Sequence, residues 1–237
     1  MEMEKENQIE EIKEIEMNDD DTETEENKEE IEEVETKTQQ IEKKIFLNDY
    51  ISANQFLSSK YKRKLKEWTG LTVGETLFDS LIDDWSINTS VFDDKINEKK
   101  QIVLVCEDEK NELFGFYLST EMKRTIIKGR KTISNEPTDK NSFLFNLQSN
   151  GRLPKPMKFD IIYVDSAYTL HPKTAVHLIS FGKNGQLRIF KKEQKDSSYC
   201  QQNNPYFNYK GFSRALCGKS NSNQPIELKR FVVYQMK

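Results

Sequence analysis

Histidine and cysteine, the residues that most often bind metals or do nucleophilic work, are scarce: His171, His177, Cys106, Cys200 and Cys217 are all there are in 237 residues. A structural or catalytic zinc site needs three or four N or S donors at compatible spacing, and these five are too scattered to supply it. Cys106, Cys200 and Cys217 form an odd set without a CxxC pair, which fits free thiols in a reducing compartment better than a disulfide framework. Buried free thiols are therefore expected. Cys106 lies in the apolar run "IVLVC", whereas Cys200 and Cys217 stand in polar stretches where an exposed thiol of lowered pKa can act as a redox sensor. Long hydrophobic runs are missing too, since none approaches the roughly 18 to 20 residues needed to cross a bilayer. The opening "MEMEKENQIEEIKEIE" has neither a basic n-region nor an apolar h-region. A soluble, unsecreted, cytoplasmic protein is expected, so the sequon Asn88-Thr89-Ser90 carries little weight. No GxxxxGK[ST] loop occurs and no GxGxxG follows a strand, so no nucleotide or other cofactor is expected.

Charge is abundant but uneven. Residues 1–44 contain 19 acids against 6 bases, a net of −13, and leave 21 acids and 30 bases, a net of +9, to residues 45–237. The overall −4 hides an acidic tail on a basic domain. Residues 18–30, "NDDDTETEENKEE", cannot bury enough apolar surface to offset their ordering entropy and are expected to be disordered. Asp19, Asp21, Glu23 and Glu30 loosely follow calcium-loop spacing, but Thr24 stands where the sharp turn needs glycine, so chance acidity explains them better. Ile31, Val34, Thr38, Ile41 and Ile45 fall at steps of three and four. That seam spans about two heptads where three or four mark a coiled coil, so an oligomerising zipper and a single helix leading into the domain both stay open.

A second helical pattern places Leu57, Tyr61, Leu65 and Trp68 on one face, with Lys60, Lys62, Arg63, Lys64 and Lys66 around the rest. Gly70 sits where a helix C-cap is expected. The period then changes to short β-branched and aromatic runs at 75–80, 101–108, 112–119, 142–147, 159–164, 175–181, 185–191 and 226–236. Between them one helical insert is expected over 88–99, capped by Asn88, Thr89 or Ser90, with Val91, Phe92 and Ile96 inward. A doubly wound α/β sheet would need a helix between most strands. The pattern predicts a mainly β fold, an antiparallel sandwich over 70–237, led by a basic helix at 45–69 and the acidic tail at 1–44. "CEDEKNELFG" reads as a hairpin, and Gly115 in its second strand implies a bulge or a backbone or large ring crossing close by.

The segment "LFDSLIDDWSINTSVFDDKINEKKQIVLVCEDEKNELFGFYLS" (77–119) resembles the opening of a TLDc domain, "DKNSFLFNLQSNGR" (139–152) its middle, and "FGKNGQLRIFKK", "SSYC" and "IELKRFVVYQM" its close. The resemblance covers about 70–237 in the family's order. It implies a two-sheet antiparallel β-sandwich with a few peripheral helices, and a place for Gly115 in a central strand where an aromatic packs on bare backbone. It further implies a non-enzymatic protein-interaction role, in oxidative-stress resistance and in binding the vacuolar proton-pumping ATPase (V-ATPase), whose assembly such domains influence, at the cytoplasmic surface of vesicles. Three positions depart from the family: Phe116 replaces a second glycine, the glycine-rich turn is reduced to Gly182-Lys183-Asn184-Gly185, and Val232 replaces an acid ahead of Val233-Tyr234.

No catalytic, cofactor-binding or metal-binding residue is assigned. His171 precedes Pro172 in an expected loop and His177 lies in an expected strand, and neither shows the oriented base of a catalytic relay. Asp79, Asp83 and Asp84 follow a strand, where acids commonly close turns. An enzyme would have to be built from scattered Asp, Ser and Cys. The basic stretches Lys60–Lys66, 123–131, Lys191–Lys192 and Lys195 are either a solvated surface or a face for an acidic protein, an anionic membrane or nucleic acid. Nucleic acid is the least expected partner, because no RNA-binding aromatic motif or DNA-reading helix accompanies them. Opposite net charges suggest the hypothesis that the tail screens those bases within the same molecule. Deleting residues 1–44 should then raise affinity for acidic partners and steepen its salt dependence, and an unchanged affinity and salt slope would refute the screening.

Overall fold

A computed structural model describes Lys37 and residues 56–123, 126–128, 131–133, 140–162, 168–182, 185–202, 206–218 and 224–237. The chain divides into Met1–Ala53 and Asn54–Lys237, and the second unit holds all of these but Lys37. The acidic stretch, the calcium-like acids and the heptad seam lie outside the described residues, as do Lys183, Asn184 and parts of 123–131.

The described strands are β1 (Val73–Asp79), β2 (Ile102–Asp108), β3 (Leu113–Leu118), β4 (Ile126–Lys128), β5 (Lys131–Ile133), β6 (Phe143–Gln148), β7 (Met157–Asp160), β8 (Tyr168–Leu170), β9 (His177–Phe181), β10 (Leu187–Phe190), β11 (Tyr199–Cys200) and β12 (Leu228–Met236). Helices α1 (Ser59–Thr69) and α2 (Phe92–Ile96) accompany them. The strands form antiparallel sheets in the orders β1-β12-β2-β3-β6-β7 and β11-β10-β9-β8, with β4-β5 as a separate hairpin. The fold is mainly β, as the strand pattern predicts. The last strand is the second in its sheet: β12 runs between β1 and β2, with Val232 opposite both Asp79 and Val105.

The continuous apolar reading of "IVLVC" has a direct cause, because both faces of the six-stranded sheet are buried. One set of side chains, including Leu104, Cys106, Phe114, Phe116 and Leu144, shares a core with Leu170, Ile179, Phe181, Leu187 and Ile189 of the four-stranded sheet. Phe116 stacks on Phe181 with ring centroids 4.3 Å apart and planes within 6°. The alternate set, Val103, Val105, Tyr117, Phe143, Phe145, Val232 and Tyr234, clusters with Leu57 and Leu65, and with the partly buried Tyr61 and Trp68.

Helix α1 keeps the expected stripe from Tyr61 to Trp68 and the glycine cap, but it begins at Ser59, so Leu57, expected on the helix, precedes it, because Ser58 takes an extended conformation at the N-cap. Leu65 is buried, Tyr61 donates from its hydroxyl to Gln148 Oε1 at 2.7 Å, and Gly70 takes φ 75° as the cap, donating to the Lys66 carbonyl at 2.8 Å. Burying Leu65 contributes about 2 kcal/mol by area transfer. Val232 belongs to the cluster around Leu65, so an acid there would be buried in an apolar setting.

Several boundaries differ from the sequence reading. The insert expected over 88–99 is helical only at Phe92–Ile96, because Asn88 and Glu98 take positive φ and the Ser90 hydroxyl accepts the Phe92 N–H at 3.2 Å. The strand expected over 159–164 is Met157–Asp160. Ile161 bridges Phe207, and Ile162 donates to the Tyr206 carbonyl at 2.7 Å instead of continuing the ladder. Strands β4, β5, β8 and β11 are additions, all of two or three residues, too short to show a period.

Gly115 pairs with Val105 on one side and Phe145 on the other. A Cβ there would meet the Leu104 carbonyl oxygen at 1.9 Å and the Phe145 ring at 3.1 Å. The expected ring over bare backbone is present, and the neighbouring backbone is the tighter limit. Gly115→Ala should therefore force two central strands apart and cost about 3 kcal/mol, the upper range for overpacking, readable as a shifted urea midpoint. An unchanged midpoint would show that the strand relaxes freely.

Candidate functional sites: three closed clusters and a basic groove

The acids after β1 are brought together, and they are used up. Asp79 is fully buried and takes two hydrogen bonds from Arg230, Nε to Oδ1 at 3.0 Å and Nη2 to Oδ2 at 2.5 Å, while Phe56 lies 4.7 Å from the guanidinium. Asp79 Oδ1 also accepts the Leu81 N–H at 3.1 Å. Asp83 accepts the Asp79 N–H at 2.9 Å and pairs with Lys95 at 2.5 Å. Asp84 accepts the Ser86 N–H at 2.8 Å, and hydrogen bonds from the Thr89 side chain and from Ser86 hold its pKa below the usual range. With every carboxylate engaged in shaping the turn, the arrangement is structural. The Asp79–Arg230 pair spans 151 residues, and the only sequence signal was an arginine inside an apolar strand.

The histidines also meet. His171 and His177 have ring centroids 5.0 Å apart, and His171 Nε2 lies 3.0 Å from Ser180 Oγ. A serine beside a histidine has the composition of a nucleophile and its base, but the surroundings invert the chemistry. Arg188 Nε donates to the same Ser180 oxygen at 3.0 Å, so the hydroxyl proton is free to bond a neutral His171. Burial first, then His177, Arg188 and Lys191, lower the His171 pKa to about 3. Burial and then Arg188 lower that of His177. A catalytic base needs a partner that stabilises its protonated form. Here the neighbours are cations, and Ser180 is only 3% exposed. Lys191 belongs to this buried region and not to the basic surface expected for it: its ammonium donates to the carbonyls of Pro172 at 3.2 Å and of Lys173, and burial lowers its pKa.

The cysteine expectations require correction. Cys200 and Cys217 are buried and joined by a disulfide, with Cα atoms 6.5 Å apart, so neither is a free sensor thiol. Pairing was hidden in the sequence because β11 and the 209–218 loop meet only in the folded chain. Asn146 Nδ2 donates to the Leu216 carbonyl at 2.7 Å, and Arg152 donates to the carbonyls of Arg214 and Ala215, so the loop is tied on several sides. Cys106 is free and buried, as expected, and burial pushes its pKa well up.

The surface offers a groove of about 420 Å³ between the end of α1 and strands β3, β6 and β7. Trp68, Tyr117 and Phe143 line it together with Lys140, Lys158 and Asp160. Lys158 lies 5.2 Å from the Phe143 ring centroid and 3.0 Å from the Asp160 carboxylate. Exposed pairs of that kind contribute about 0–1 kcal/mol, so the lysine can change partners cheaply. Neither lysine belongs to the basic stretches read from the sequence, since the two are 18 positions apart and only the β6–β7 pairing joins them. Among the described residues no group of three or more His, Cys, Asp or Glu is placed to hold a metal.

A family model described as the TLDc domain matches residues 41–229. Among curated proteins, none matches the chain.

The histidine pair makes stability depend on pH. The folded pKa of His171 lies near 3 and its ordinary value is 6.5, so between these the unfolded chain binds more protons and stability rises with pH. As pH falls below about 6.5, wild type should lose up to about 1.4 kcal/mol per pH unit from this one group. His171→Gln should flatten the dependence of the urea midpoint between about pH 6.5 and 5, leaving the smaller same-sign effect of His177; an equal slope in both proteins would refute the assignment.

Proposed function

Because the chain belongs to the TLDc-domain family, we propose that it is a non-enzymatic protein-interaction module that engages the vacuolar proton-pumping ATPase from the cytoplasm and contributes to resistance against oxidative stress. The observation that carries this reading is the closure of the clusters with reactive composition. Ser180 is held between His171 and Arg188, Asp79 is locked by Arg230, and Cys200 is bonded to Cys217. A domain that works by contact needs a stiff frame and an accessible surface, and does not need an activated nucleophile. Two departures from the family pattern are compatible with it, because Phe116 and Val232 are fully buried and bear on packing, not on the exposed surface. The shortened turn still closes, with Gly185 N–H donating to the Gly182 carbonyl at 2.9 Å and both glycines at positive φ. No described helix is long and apolar enough to cross a membrane.

The groove with Lys140 and Lys158 favours a second reading, a basic surface for an anionic partner. Salt separates the two, because phosphate contacts lose affinity steeply and regularly as salt rises. The test mixes the purified full chain with vesicles bearing the proton pump, at low and moderate salt. The protein is expected to sediment with the pump at both salt levels and to change the amount of cytosolic ATPase sector held on the membrane. A chain that stays in the supernatant while assembly and acidification are unaltered would overturn the proposal. Capture of nucleic acid or anionic lipid alone, lost as salt rises, would support the second reading in its place.

A further inference from the structure

Strands β9 and β10 turn Ile179, Phe181, Leu187 and Ile189 into the core between the sheets, so their alternate residues face outward. Ser180, Arg188 and Tyr199 stand opposite one another on that outer face, with His171 and His177 beside them, and the arginine and both histidines are partly exposed. The Arg188 guanidinium is held on three sides. Its Nε donates to Ser180 Oγ at 3.0 Å, its Cζ lies 5.4 Å from the Tyr199 ring centroid, and it fills the notch at Gly185, where a Cβ would meet Nε at 2.9 Å and Nη2 at 3.0 Å. Both Nη nitrogens are left without a hydrogen-bond partner among the described residues. Neutral His171 accepts the Ser180 hydroxyl at Nε2, which puts its proton on Nδ1, and neither Nδ1 nor the His177 ring has a hydrogen-bond partner among the same residues. No carboxylate offsets this cluster. None of the described ion pairs includes Arg188, His171 or His177. The charged groups acting on His171 are His177, Arg188 and Lys191, and on His177 Arg188 alone. Asp93, Glu193 and Asp84 act on Lys191, which is buried and spends its ammonium on the Pro172 and Lys173 carbonyls.

We propose that this face binds a phosphate-class dianion between the Arg188 guanidinium and the His171–His177 pair. A guanidinium fork takes two oxygens of such an anion, and a fork already fixed loses less entropy in doing so. The two imidazoles, with ring centroids 5.0 Å apart, offer donors to a third oxygen. A carboxylate has only two oxygens and one charge. A phosphate monoester carries about −1.5 to −2 near neutral pH and can offset Arg188 together with one imidazolium. Burial and the neighbouring cations keep both histidines neutral in the unliganded protein at neutral pH, so a bound dianion favours the protonated form and binding takes up a proton. Affinity therefore rises as pH falls. The inference is independent of contact with the proton pump, and the site lies on a different sheet from the groove with Lys140 and Lys158.

The experiment follows the histidine Cε1–H resonances of the full chain by NMR while inorganic phosphate, glycerol phosphate or sulfate is added at constant ionic strength. Saturable shifts of both His171 and His177 are expected with all three, the resonances being assigned through His171→Gln and His177→Gln. Arg188→Gln should lose tenfold or more in affinity, whereas Lys140→Gln/Lys158→Gln should bind as wild type does. If Arg188→Gln does not fold, Arg188→Lys, which keeps the charge and removes the fork, should still lose severalfold. Sulfate remains a dianion throughout, so a severalfold rise in its affinity from about pH 7 to about pH 6 belongs to the histidines. Chloride or acetate shifting the resonances as strongly as phosphate overturns the site. Unchanged affinity in the Arg188 variants, or affinity for sulfate that does not vary with pH, overturns it equally. Sedimentation with phosphatidylcholine vesicles only when they carry a phosphoinositide, lost in the Arg188 variant, supports the site and makes a lipid headgroup its ligand. Binding of glycerol phosphate without such sedimentation supports it with a soluble phosphate as the ligand.

Discussion

A six-stranded sheet that is apolar on both faces cannot stand in water, and most of this structure is an answer to that constraint. Along β2 successive residues Val103, Leu104, Val105 and Cys106 are all fully buried. Each strand therefore needs two covers. The four-stranded sheet supplies one, with Phe116 stacked on Phe181 at its centre. Helix α1 and the residue leading into it contribute the other, through Leu65 and Leu57, with Trp68 against Phe143 and Phe145. Its basic outer face follows from the same demand, since one stripe is spent on the sheet and the remainder meets water. Where the end of α1 meets the sheet, the groove with Lys140 and Lys158 opens.

The ends of the domain are joined by the same logic. Strand β12 closes the sheet by entering between β1 and β2, and its Arg230 reaches the Asp79 carboxylate at the end of β1. Breaking a buried pair by removing one partner costs about 3–5 kcal/mol, because a charge is left uncompensated. Such a pair carries a strong penalty against misregistered pairing of β1 with β12, and it sets the turn whose side chains Leu81 and Ile82 stand in solvent. The stiffness of that turn is inherited from the closing strand.

The departures from the TLDc pattern make physical sense once the two cores are distinguished. Phe116 enters the core between the sheets and finds Phe181, whereas Val232 enters the core under α1. Substitutions of this kind change how covers fit the sheet. Similar economy explains the polar clusters: Ser180, His171 and Arg188 satisfy one another inside the smaller sheet, and their mutual hydrogen bonds keep buried polar atoms paired.

Local pattern alone determined the β-rich class, α1 with its buried stripe and glycine cap, the β2–β3 hairpin and the tight place of Gly115. Each of these depends on neighbours within a few positions, through side-chain periodicity, turn chemistry or the missing Cβ. The family resemblance in the sequence, carried by motifs in the same order, agrees with the match over 41–229. What local pattern could not determine were contacts that close only through space: Asp79 with Arg230, Cys200 with Cys217, His171 with Ser180, and Lys140 beside Lys158. Free thiols at Cys200 and Cys217 and a surface Lys191 were the wrong expectations for that reason, since polarity of the flanking sequence says little about burial once separate segments meet. The order β1-β12-β2 belongs to the same class. It requires the last strand to find the first two, and only the requirement that every backbone donor and both faces of the sheet be satisfied at once selects that arrangement.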